Sequence, residues 1–204
     1  MSAIHGAMAL VATTLACAAA IVDGPRGAAA AGVHAIPRFI SAPELAERII
    51  RRDPALRVLD LRPHAEYERL HVPGAVHTTL RRLATEPLPP AATAVVYATT
   101  QTHATRAWTL LNARGLREVS ILRGGLYEWI VRIQEPRLAV DATADERAEF
   151  EQAVRWSRFF GGRVHPNVPR SEVPTGYWSA GSPRREGSLE QTLLAVAAIR
   201  RRGC

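Results

Sequence analysis

Three short apolar runs, each handed on to a helix-forming stretch after only a few residues, constrain this chain most. They occupy residues 57–61, 94–97 and 118–122. Short, mostly apolar runs of this kind suit parallel strands buried on both faces. Between them lie helical stretches with clear punctuation. Ser41-Ala42-Pro43-Glu44 reads as a capping box with a first-turn proline, followed by Leu45, Ile49 and Ile50 at helical spacing and by the breaker Asp53-Pro54. The helix expected over 104–114 ends at Gly115. Strands and helices alternating through short links predict an α/β fold, a central parallel sheet with helices on both faces.

The rest of the chain divides by composition. Residues 1–35 form a leader and linker: an apolar run over 7–22, then a Gly- and Ala-rich stretch with a Pro-Arg-Gly insert. Residues 36–135 are the expected domain, with a turn and short helix over 62–70 and a proline-rich loop over 85–93. Residues 136–204 form an extension of two helices around a Pro/Gly-rich loop. The first helix begins at a capping box, Thr143-Ala144-Asp145-Glu146, and ends at Gly161-Gly162. Residues 163–187 show no periodicity and no regular structure is expected there. A last helix starts at Ser188 with Leu189, Leu193 and Val196 on one face and Arg200, Arg201 and Arg202 at its end. Either this extension packs on the domain, covering Trp156, Phe159 and Phe160, or it is an arm that docks a partner.

Four separated motifs, in order, carry a resemblance. Asp60-Leu61-Arg62 closes the first run. Glu66-Tyr67 and His71-Val72-Pro73-Gly74-Ala75 come next, with Leu70 where a glycine is usual. Val95-Val96-Tyr97-Ala98-Thr99-Thr100-Gln101-Thr102-His103-Ala104 follows, and Gly124-Gly125 leads into Trp129. Together they resemble the rhodanese (sulfurtransferase) homology domain in its single-domain form. The resemblance implies that the residue after the central strand is the catalytic cysteine that carries a persulfide. Here that position is Ala98. The resemblance further implies that Asp60 and Arg62 hold the scaffold near the active loop, that His71 satisfies buried backbone, and that Gly124 and Gly125 permit a tight approach. The loop length is that of the sulfurtransferase type, although Gln101 stands where the family often has glycine and His103 where it has a basic residue.

Sulfur transfer needs a thiolate, made acidic by backbone amides at a helix N-terminus. An alanine methyl neither ionises nor carries sulfur. The hydroxyls of Thr99, Thr100 and Thr102 have no base and orienting partner evident in the sequence. What persists is the loop itself, Ala98, Thr99, Thr100, Gln101, Thr102 and His103, as an anion-binding cradle of backbone amides. The expectation is a catalytically inactive module binding a small anion or a protein partner through this loop or through the C-terminal arm. The alternative is a working sulfurtransferase whose sulfur carrier is Cys204, a terminal thiol beside three arginines, or a partner's thiol.

Composition narrows the field further. With 47% hydrophobic residues among 204, a sizeable core is available. All 26 basic residues are arginine, giving a net charge of +7, yet they are scattered, so no nucleic-acid partner is expected. The two cysteines, Cys17 and Cys204, lie outside the domain, and the seven histidines are dispersed; neither a disulfide framework, a metal nor a cofactor is expected. The run over 7–22 suits a secretory signal, and Thr14-Leu15-Ala16-Cys17 is similar to a lipoprotein signal. A periplasmic or membrane-anchored location follows, with a cytoplasmic one as the alternative.

Overall fold

The computed structural model describes residues 36–87 and 93–174. The expectations for the leader, the last helix and Cys204 lie outside them. The element order is β1 (Arg38–Ile40), α1 (Ala42–Ile50), β2 (Leu56–Asp60), α2 (His64–Arg69), β3 (Val76–His77), α3 (Leu80–Thr85), β4 (Thr93–Tyr97), α4 (Gln101–Ala113), β5 (Val119–Leu122) and α5 (Gly125–Trp129). A π-helical turn, Ile130–Gln134, continues α5. Then come β6 (Arg137–Ala139), α6 (Ala144–Phe159), β7 (His165–Val168) and a 3-10 turn, Arg170–Glu172.

Five strands form one all-parallel sheet in the order β1-β5-β4-β2-β3. Successive side chains on a strand point to opposite faces, and β4 shows this directly. Val95 and Tyr97 belong to one apolar cluster with Leu45, Val58, Trp129 and Ile133. Ala94 and Val96 belong to the other, with Leu59, Ala107, Trp108 and Leu111. All four β4 residues are fully buried. The expected sheet covered on both faces is therefore present, with α1 and α5 on one side and α3 and α4 on the other.

Local chemistry sets the helix starts. Ser41 Oγ accepts from the Glu44 N–H, and Thr143 forms the full reciprocal capping box with Glu146. The helix expected from residue 104 begins earlier, at Gln101. Thr100 is its N-cap, with its hydroxyl accepting from the His103 N–H at 3.2 Å. Apolar periodicity begins only at Ala104, so the polar, outward-facing first turn carried no periodic signal.

The extension also departs from expectation. Residues 165–168, predicted to lack regular structure, form β7, paired in parallel with β6. Only two of its residues are half-buried, so main-chain hydrogen bonds rather than side-chain alternation hold it, and the sequence shows no pattern. The π-helical turn was not expected either. It presents Val131 to a third apolar cluster with Leu138, Phe150, Ala153 and Val173, and Ile133 to the first cluster. Trp156 and Phe160 pack against the first cluster, and Trp156 Nε1 donates to Glu47 Oε1 at 2.7 Å. Of the three aromatic side chains Trp156, Phe159 and Phe160, two thus cover the domain, while Phe159 stays exposed.

Candidate functional site

The C-terminal ends of β2 and β4 lie side by side. Asp60 pairs in register with Tyr97, and the Leu61 N–H donates to Tyr97 O at 2.9 Å. In open parallel sheets, this carboxyl end is where ligands bind. Ala98 is the next residue after Tyr97. It is partly buried, packed on the cluster that holds Leu59, Leu61 and Leu83.

Beside it stands a buried ion pair. The Asp60 carboxylate accepts from the Arg62 backbone N–H at 2.9 Å, from Nε at 3.1 Å and from Nη2 at 2.6 Å. Asp60 is wholly buried and Arg62 is 7% exposed. Arg62 Nη2 also donates to Leu70 O at 2.6 Å, tying α2 down over the strand end. Burial opposes the Arg62 charge, yet the hydrogen bond and charge of Asp60 outweigh it and hold the guanidinium more firmly protonated than usual. Its Cζ lies 5.6 Å from the centre of the Tyr97 ring. Burial, then the Asp60 charge, pushes the Tyr97 phenol well above its ordinary range, so it stays neutral and accepts from the Val72 N–H at 3.1 Å.

Aromatic side chains pack around this pair's α2 support. The Tyr67 and His71 rings stack at 4.1 Å, and the His71 Nδ1–H donates to Tyr67 O at 2.9 Å. His77 Nε2–H donates to Arg62 O at 2.9 Å, and its ring lies 5.0 Å from His64 and 5.4 Å from Tyr67. Tyr67 in turn donates to Ala75 O at 3.0 Å. The bonds from Tyr67, His71 and His77 satisfy the backbone carbonyls of Ala75, Tyr67 and Arg62.

The glycine pair acts on the other side. A Cβ on Gly125 would sit 3.4 Å from Ala98 O, so Gly125 backs directly on the strand end. Gly124 does a different job. Its φ is +64°, and a Cβ there would meet Glu128 Cβ at 2.8 Å. Only glycine allows this left-handed N-cap to turn so tightly into α5.

At the start of α4 the first intrahelical bond runs from the Ala104 N–H to Thr100 O. The amides of Gln101 and Thr102 precede it and belong to the set that a helix leaves for outside acceptors. Thr100 already satisfies His103. Thr99 Oγ1 is buried with no hydrogen-bond partner among the described residues. An open depression of about 630 Å³ runs from Gln101 and Thr102 along α4 past Thr105 and Arg106 to Leu110. Arg106 was not singled out from sequence. Its place one turn beyond the loop is visible only once the helix is known to begin at Gln101.

The structure therefore brings together Ala98, Thr99, Thr100, Gln101, Thr102 and His103 with Asp60, Arg62 and Gly125. His71 and Gly124 support neighbouring segments. Tyr97 and His77 were missed; Tyr97 was read as one more apolar residue of the strand. Among the described residues no three His, Cys, Asp or Glu side chains are placed to hold a metal ion. No helix among them is long and apolar enough to cross a membrane.

Residues 41–131 match the rhodanese-like domain family. They form a rhodanese-like domain. Solved structures similar to this chain include the Alr3790 protein of Anabaena, 29% identical, matching 44% of this chain and 74% of that one with a TM-score of 0.42. The single-domain sulfurtransferase RDL2 of Saccharomyces cerevisiae is 13% identical, over 48% and 91% of the two chains, with a TM-score of 0.43. A rhodanese-related protein of Thermoplasma volcanium is 24% identical, over 46% and 90%, with a TM-score of 0.40. No curated protein matches the chain.

Proposed function

We propose that this rhodanese-like domain does not itself transfer sulfur and instead binds a small anion at the start of α4. The observation that carries the reading is Ala98. The side chain at the end of β4 is a methyl packed on apolar neighbours, and no described residue is a cysteine. Persulfide chemistry needs a sulfur nucleophile at the point where helix amides converge. The support for binding is what stays in place around that methyl. Gln101, Thr102 and Arg106 line one open depression at the start of α4, and the free first-turn amides and dipole of a helix N-terminus favour an oxyanion or carboxylate.

Export to the periplasm or anchoring to a membrane, from the run over 7–22, belongs to the same proposal and rests on the sequence alone.

Anion binding is testable by titrating the full chain with sulfate and with thiosulfate while following amide resonances. Saturable shifts at residues 98–106, weakened severalfold in Arg106→Gln, support the reading. Shifts spread evenly over the surface, or none at the α4 start, overturn it.

A further inference from the structure

The β6–β7 ribbon carries an arrangement that the rhodanese-like site does not use. His165 Nε2 and Glu135 Oε2 are both buried, and neither has a hydrogen-bond partner among the described residues. They face each other at 3.7 Å. That separation is too long for a hydrogen bond and too short to admit a bridging water. Two buried polar groups left unmade in this way cost stability and are uncommon in folded proteins.

The strand that bears His165 is short, irregular and paired on one side only, in a two-stranded ribbon with β6. Its register runs Arg137 to His165 and Ala139 to Val168, so one extra residue is inserted on β7. Asn167 lies in that bulge with a φ of +60°, a left-handed conformation that asparagine tolerates better than most side chains. Main-chain bonds flank the ladder at its ends: His165 N–H to Pro136 O at 2.9 Å, Val140 N–H to Val168 O at 3.0 Å, and Arg163 N–H to Gln134 O at 2.7 Å just before it.

Charges surround the imidazole from every side. Arg137 is its register partner on β6 and bonds Glu172 of the 3-10 turn at 3.1 Å. Arg163 precedes β7, and Glu135 follows the π-helical turn. We infer that His165 is an acid-sensitive pin, and that its protonation opens the β7 strap from β6. A proton on His165 puts a positive charge in a half-buried site beside Arg137 and Arg163. Burial, then Arg137, depress its affinity for that proton, and Glu135 and Glu172 only partly compensate.

The sign follows directly. A histidine held neutral by the fold stabilises it fully above the unfolded value of about 6.5, and that contribution is lost as pH falls below it. The opening is bounded on its far side. Arg170 clamps Asp141 at 3.0 Å and Glu146 at 2.6 Å, and the Glu146 carboxyl stays ionised down to about 2. Acid therefore loosens residues 163–168 while the Arg170 clamp stays closed.

Amide hydrogen exchange on the full chain, from about pH 7.5 down to about pH 5.5 and corrected for intrinsic rates, reads this opening. Protection at His165, Asn167 and Val168 is expected to fall severalfold in the parent and to stay flat in His165→Gln, with the α4 and β4 amides unchanged in both. A flat parent profile, or the same fall in the variant, overturns the inference. If the variant does not fold, an NMR titration of the His165 ring in the parent decides. A midpoint below that of an exposed histidine supports the pin, and one at or above it overturns it.

Discussion

Asp60 and Arg62, two residues apart at the end of β2, hold each other in a buried, multiply bonded ion pair. It is the bracket beside the end of β4, where Ala98 follows Tyr97. Asp60 is in register with Tyr97, and Arg62 reaches from there to Leu70 O. Two charges withdrawn from water gain little net stability as a pair, but removing one leaves the other uncompensated. Arg62→Met is expected to lower the unfolding free energy by about 3–5 kcal/mol, read by urea denaturation. A loss well under about 1 kcal/mol, the range of an exposed pair, would show that the bracket is solvated in solution.

The Arg170 clamp fixes an acid limit. Hydrogen bonding from Arg170, then from the Thr143 N–H, lowers the Glu146 carboxyl from 4.5 to about 2. A depressed carboxylate contributes stability above its unfolded value, and that contribution is lost as pH falls through the folded one. Urea midpoints are expected to decline between about pH 4.5 and pH 2, with a shallower decline in Arg170→Gln. Identical slopes for the two proteins would remove Glu146 from the account.

The joint between the π-helical turn and α6 has no spare room. A Cβ at Gly162 would lie 2.1 Å from Gln134 O and 2.6 Å from Ser157 Oγ, and Ser157 Oγ already donates to Gln134 O at 3.1 Å. Gly162→Ala is expected to destabilise the chain by about 1–3 kcal/mol, the usual cost of forcing atoms into a filled site. Thermal unfolding unchanged from the parent would mean that α6 is free to shift.

Much of the domain was legible because burial on both faces writes itself into the sequence. The run Ala94-Val95-Val96-Tyr97 could scarcely be anything but a central strand, and the family resemblance implied that Asp60 and Arg62 hold the scaffold near the loop. The start of α4 was misplaced for a physical reason. Thr100 caps the helix with its own hydroxyl, and the first turn, Gln101 to His103, faces outward with no apolar rhythm. That error hid Arg106, which joins the site only by helical geometry. β7 was invisible for a related reason. His165 to Val168 is held by main-chain bonds to β6 across a bulge at Asn167, and neither leaves a side-chain pattern.

The proposed reading turns on the Ala98 methyl group, and the most direct measurement is thiosulfate:cyanide sulfurtransferase activity of the full chain beside an Ala98→Cys variant. The account expects thiocyanate formation by the parent to stay at the uncatalysed rate, with turnover gained in the variant. Turnover by the unaltered chain at the rate of the variant would contradict it, because the sulfur would then be carried by a thiol other than one at position 98.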